Sequence, residues 1–134
     1  MRATGCLFGL AYGDALGAPT EFLSMDQIRR RFGAQGPREP AGTPALVTDD
    51  TQMAIAVGEA LLGAPEPTPG ALTPELTRWF VEWWGSPDNN RAPGGTGLRA
   101  CAQLAAGIPS VRASQHGSKG CGANMRVAPV GLVP

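Results

Sequence analysis

The sequence predicts an all-α protein, a compact multi-helix bundle. Two observations carry that expectation. Apolar residues recur at helical spacing; between Met53 and Leu62 they stand at 53, 54, 55, 57, 60, 61 and 62, the pattern of a largely buried helix. Strand formers are scarce, with aromatic residues at 6%, while 19 glycines and 13 prolines break the chain into short segments.

Taken in order, residues 3–17 predict a small-residue helix. Gly5, Gly9, Gly13 and Gly17 recur four apart along it, a stripe that lets another backbone approach closely. Residues 24–32, "SMDQIRRRF", predict a second helix. Ser24 and Gln27 have capping-box spacing, and Gly33 supplies the stop. Residues 34–46 read as a Gly/Pro loop. A helix over 50–62 follows, ended by Gly63 with Pro65 beyond it. Residues 64–72 are again loop. Thr73, Pro74 and Glu75 mark a helix start, and that helix stops at Gly85. Its Trp79, Phe80, Trp83 and Trp84 are expected in the core or on a partner face, since no basic groove accompanies them as a nucleic-acid platform would require. After a loop over 86–95, Thr96 is placed to cap a short helix through Ala106, ended by Gly107 and Pro109.

Composition narrows the function classes. The 134 residues suit one domain, and 11 basic against 11 acidic residues leave no net charge. No basic tail or patch points to nucleic acid or to a membrane surface. The three cysteines, Cys6, Cys101 and Cys121, are widely spaced, and His116 is the lone histidine. That is neither a zinc pattern nor a disulfide framework, and it fits a reducing compartment. Cys6 and Cys101 sit among apolar residues and are expected in the core. The N-terminal apolar stretch is interrupted by Asp14, so a cytoplasmic location is expected rather than secretion.

The segment "VTDDTQM" at 47–53 raises a sharper question. Asp49 and Asp50 are adjacent although like charges repel, and Thr48 and Thr51 flank them. One aspartate suffices to cap a helix and to meet its dipole. A second carboxylate and two hydroxyls add oxygen ligands of the kind a hard cation takes. A doubly acidic cap and metal binding both account for the pair on these residues alone.

Three stretches occur together: "GLAYGDALGAPTEF" at 9–22, "TDDTQM" at 48–53 and "GSKGCGANMRVAPVGL" at 117–132. With "APGGTGL" at 92–98, they make the chain resemble the ADP-ribosylglycohydrolase family over nearly its whole length. The resemblance implies an all-α fold around a binuclear Mg²⁺ or Mn²⁺ site and hydrolysis of an ADP-ribosyl glycosidic bond. It implies metal ligation by Thr48, Asp49 and Asp50, and catalytic roles for Glu21, Asp49 and Asp50. Asp14, in the same motif as Glu21, is expected to support a ligand or the fold. The loop carrying Ser118, Gly120, Cys121 and Gly122 would hold the ADP-ribose. Relatives often carry asparagine where Cys121 stands, which withdraws that side-chain hydrogen bond. The partner implied is an ADP-ribosylated protein or a small molecule containing ADP-ribose.

Residue chemistry agrees with those roles. Glycosidic cleavage needs an activated water and help for the leaving group, and clustered carboxylates can hold a metal pair that lowers the pKa of water. Glu21 can transfer protons. Glycines 117, 120 and 122 free the backbone to present N–H groups to a phosphate. Lys119 is a candidate phosphate contact, although a solvated lysine explains it as well. Arg126 follows the glycine loop and is expected to tie down a helix.

The family pattern includes a second motif, Asp-x-Asp-Thr, in the C-terminal half of its longer members. It does not occur here, where the other aspartates are Asp14, Asp26 and Asp88. The 134 residues are therefore expected to be an N-terminal half of the domain. A non-catalytic helical module that binds a nucleotide or a partner is the alternative. The apolar run at Met125, Val127, Val130, Leu132 and Val133 is expected to lack cover, and the chain to self-associate or to be only loosely folded.

Overall fold

The structure, a computed structural model, describes residues 2–114, 117, 118 and 120–133. It is all-α, and among the described residues the only β pairing is an isolated antiparallel bridge between Gly42 and Ala45. The chain divides into two compact units, Met1–Thr48 and Asp49–Pro134. No helix among the described residues is long and apolar enough to cross a membrane.

The first unit opens with α1, Arg2–Gly17, continued by a short 3-10 helix at Ala18–Thr20. The Thr20 hydroxyl donates to the Gly17 carbonyl at 2.7 Å and closes that junction. Helix α2 spans Met25–Phe32. Its capping box is formed as the spacing predicts: the Gln27 N–H donates to Ser24 Oγ at 3.3 Å, and the Ser24 N–H donates to Gln27 Oε1 at 2.7 Å. Gly33 ends α2 at φ +83°, a left-handed conformation that favours glycine.

Two expectations for α1 fail. A Cβ built on Gly5, Gly9, Gly13 or Gly17 meets nothing within 4 Å, so the glycine stripe accommodates no close approach in this structure. Cys6 is exposed rather than core. One prediction rested on glycine spacing and the other on apolar neighbours, and only Ala15 of α1 is buried.

The second unit is built on α3, Asp49–Gly63, which packs against α4, Pro69–Gly85. Helix α5, Gly95–Ala105, packs on α4. Short helices α6, Ser110–Ala113, and α7, Gly122–Met125, follow, and a 3-10 helix at Ala128–Leu132 lies on α3. These last three elements were not predicted, because four- and five-residue helices are too short for periodicity to reveal. The core joins Met53, Trp83 and Cys101, with Phe80, Leu98 and Met125 packed around them. Trp83 also donates its indole N–H to Gln52 Oε1 at 3.0 Å, which satisfies the polar edge of a buried ring. Trp84 is exposed.

Helix α4 starts earlier than predicted. Thr68 is its N-cap, accepting from the Ala71 N–H at 3.4 Å, with Pro69 at the first position. Thr68-Pro69 carries the same Thr-Pro signature as Thr73-Pro74, and the upstream copy is used. Pro74 falls inside the helix, and the Thr73 hydroxyl donates to the Pro69 carbonyl at 2.6 Å. At α5 the N-cap is Gly94, so Thr96 lies one residue inside the helix and does not cap it.

The apolar C-terminal run is partly covered. Pro129 is buried, lying 3.8 Å from the position a Cβ on Gly58 would take, and Met125 reaches the core. Val127, Val130 and Val133 are exposed, as expected. Val130 and Val133 also edge an open apolar groove of about 330 Å³ with Val57, Leu61, Leu72 and Leu76.

Burial along α3 separates neighbours that the periodicity treats alike. Met53 is 1% exposed, whereas Ile55 is 56% exposed. Met53→Ala is therefore expected to cost about 2–5 kcal/mol in urea denaturation, and Ile55→Ala no more than about 0.5 kcal/mol.

Candidate functional site

The first unit holds Asp14, Glu21 and Thr48. Asp14 lies on α1, half-buried, and accepts two bonds from Thr48: the backbone N–H at 2.8 Å on Oδ2 and the hydroxyl at 2.6 Å on Oδ1. A carboxylate that takes both donors of one residue fixes its backbone and its side chain together. Thr48 is buried, and its hydroxyl gives its hydrogen to Asp14. Glu21 is exposed just after the 3-10 helix, its N–H directed to the Ala18 carbonyl at 3.4 Å.

The second unit begins with Asp49 and Asp50. Helix α3 starts at Asp49, so both aspartates stand in its first turn rather than ahead of it. Negative charge at that end meets the positive pole of the helix dipole. Asp49 is 7% exposed, deep for a carboxylate. Its N–H donates to the Arg91 carbonyl at 3.1 Å, and its Oδ2 accepts from the Gly94 N–H at 3.3 Å. The "APGGTGL" loop is thereby tied to the first turn of α3. Ala92 adopts φ +56° there, left-handed for a non-glycine residue. Such a conformation persists where its surroundings over-determine it.

Ser118, Gly120, Cys121 and Gly122 form the remaining group. The hydroxyls of Thr96 and Ser118 are hydrogen-bonded at 3.2 Å, and the Gly120 N–H donates to Ser118 Oγ at 3.2 Å. Cys121 is exposed. Gly117 takes φ +73°, which favours glycine, whereas Gly120 and Gly122 do not occupy the left-handed region. Gly122 serves space instead: a Cβ there would stand 3.3 Å from an Arg126 guanidinium nitrogen. Lys119 and His116 lie outside the described residues.

Three participants make contacts that the sequence did not assign to them. Gly94 is the donor to Asp49, Thr96 is the partner of Ser118, and Arg126 sits 5.0 Å from the centre of the Phe80 ring. The Gly94-Gly95 pair was the nearest hint, since paired glycines mark places where backbone N–H groups are left open to a neighbour. Burial pushes the Arg126 guanidinium below its ordinary pKa, against the opposing influence of Cys101 and Asp49. Among the described residues, no group of three or more His, Cys, Asp or Glu side chains is placed to hold a metal ion.

The ADP-ribosylglycohydrolase family model matches residues 1–134. The chain belongs to the ADP-ribosylglycohydrolase family. Among the relatives of this family member is an uncharacterized protein of Archaeoglobus fulgidus, 38% identical over 132 residues, covering 96% of this chain and 41% of the relative. The ADP-ribosyl-[dinitrogen reductase] glycohydrolase of Rhodospirillum rubrum is 41% identical over 64 residues, covering 45% of this chain and 22% of that protein. An ADP-ribosylarginine hydrolase of Serratia proteamaculans is 35% identical over 80 residues, 59% of this chain and 21% of the relative. No solved structure gives a significant match. This ADP-ribosylglycohydrolase chain thus spans about two fifths of the Archaeoglobus relative's length.

Two outcomes follow. Asp14→Ala leaves the Thr48 N–H and hydroxyl without these acceptors and is expected to destabilise the protein by about 1–3 kcal/mol in urea denaturation. The second concerns Cys101, whose thiol is pushed up by burial, with the Arg126 charge opposing. The folded state therefore holds this proton after the unfolded chain has lost it. The stability tied to the thiol is fully present below the ordinary pKa of 9.0 and declines as pH rises through the folded value. Cys101→Ala should flatten that alkaline decline in melts taken from pH 7 to 10, apart from a constant packing loss.

Proposed function

We propose that the whole protein is a metal-dependent hydrolase that cleaves an ADP-ribosyl glycosidic bond. The observation carrying this reading is the Thr48-Asp49-Asp50 segment in a chain of the ADP-ribosylglycohydrolase family: a threonine gripped by Asp14, followed by two carboxylates in the first turn of α3. The donor chemistry suits Mg²⁺ or Mn²⁺, because Thr48, Asp49 and Asp50 offer only oxygen. Asp14 orients Thr48, and the Gly94 N–H orients Asp49, as supporting hydrogen bonds do around metal ligands.

When bound, a divalent pair supplies Lewis acidity for the attacking water and fixed positions for the ribose hydroxyls. The chain does the rest. Glu21, held at the end of its 3-10 helix, moves a proton at its carboxylate. The Ser118–Gly122 loop binds the ADP-ribose through hydroxyl and backbone donors, leaving Cys121 without the amide that relatives often carry. The substrate class follows the relatives' names, which speak of ADP-ribosylated dinitrogen reductase and of ADP-ribosylarginine. An ADP-ribosylated protein, or a small molecule carrying ADP-ribose, is accordingly the substrate, and the reaction belongs to the cytoplasm.

A second reading has one observation in its favour. The described residues bring together fewer than three acidic, His or Cys side chains at any point suited to a metal. On that reading the 134-residue chain is a non-catalytic helical module that binds a nucleotide or a partner chain.

The two readings separate in one set of measurements on the full-length protein. Asp49→Ala and Asp50→Ala should each abolish turnover of an ADP-ribosylated substrate while leaving helicity unchanged. Full activity in EDTA would rule out the metal mechanism. ADP-ribose binding by calorimetry without turnover would favour the module. The 134 residues alone should self-associate through the exposed Val127, Val130 and Val133, and a monomer in sedimentation velocity would contradict that.

A further inference from the structure

Arg126 has surroundings that link the glycine loop to the core. It follows α7 directly, and its guanidinium carbon lies 5.0 Å from the centre of the Phe80 ring on α4. Phe80 itself packs against Met53, Trp83 and Cys101. A guanidinium over an aromatic face is held by cation–π attraction and by stacking, which makes it a stiff spacer as well as a charge. On its other side, one of its nitrogens stands 3.3 Å from where a Cβ on Gly122 would be. A side chain at residue 122 would thus press on that nitrogen, which would have to give by a few tenths of an ångström.

We propose that Arg126 is a positioning residue that clamps the Gly120–Gly122 segment against the core of the second unit through Phe80, holding that segment in the conformation that receives ADP-ribose. The clamp is geometric; the substrate named in it rests on the function proposed above. The electrostatic surroundings agree, since Cys101 and Asp49 both favour the charged guanidinium against its burial. The proposal explains why a charged side chain tolerates half-burial at this point: Phe80 replaces water on one face, and Asp49 offsets its charge.

Hydrogen exchange on the ligand-free full-length protein tests the clamp without any assumption about substrate. Arg126→Met should speed exchange of the Gly120, Cys121 and Gly122 amides at least about tenfold while leaving α5 unchanged, the signature of local and not global opening. Gly122→Ala presses on the guanidinium without touching its charge or the core, so it should reproduce the loosening even where Arg126→Met folds poorly. Calorimetry with ADP-ribose then reads the consequence: both variants should bind at least about tenfold more weakly, with the melting temperature of Gly122→Ala unchanged. Unchanged exchange in both variants would overturn the proposal, as would acceleration spread evenly over α3, α4 and α5. If the unmodified protein bound no ADP-ribose, the function proposed above would fail, and the exchange result would still decide the clamp.

Discussion

The arrangement of the second unit follows from placing one carboxylate where water hardly reaches. Asp49 is almost fully buried, and a buried charge is tolerated only when its surroundings replace hydration. Three sources do so. The first turn of α3 offers the positive end of its dipole, the Gly94 N–H donates to Oδ2, and Arg126 places a positive charge in range. Each constrains a different part of the chain. The loop before α5 must run past Asp49 for Gly94 to donate, and the Arg91 carbonyl must turn to accept the Asp49 N–H. Ala92, directly after Arg91, takes a left-handed conformation at that turn.

Asp14 and Thr48 impose a similar constraint on the first unit. Two donors of Thr48 converge on one carboxylate, so the segment leading to the unit's end is tied back to α1. A threonine held this way has its backbone and its hydroxyl fixed together.

The core of the second unit is modest, and its details bear on the loop. Met53, Trp83 and Cys101 meet at its centre, and Phe80 stands at the edge with one face toward Arg126. The glycine loop then depends on packing at second hand. Thr96 reaches the same loop through Ser118, so α5 and α4 each supply one hold on it.

The sequence by itself determined whatever depends on neighbours along the chain. Ser24 and Gln27 close a capping box, Gly33 and Gly107 end helices in left-handed conformations, and the paired aspartates open a helix, because all these effects act within a few residues. The motif combination likewise pointed to the family that the comparison then matched over residues 1–134. Local signals failed where two equal ones competed, as at Thr68-Pro69 and Thr73-Pro74, where packing chose the longer α4. Burial was beyond them altogether. Cys6 and Cys101 have similar apolar neighbours, yet one is exposed and the other is core, because only Cys101 has Met53 and Trp83 brought against it. The same holds for the site: Asp14 meets Thr48 across 34 residues, Asp49 meets Gly94 across 45, and Arg126 meets Phe80. Those pairings are set by how helices pack, and no spacing along the chain encodes them, so only the tertiary structure decided which side chains hold the candidate ligands in place.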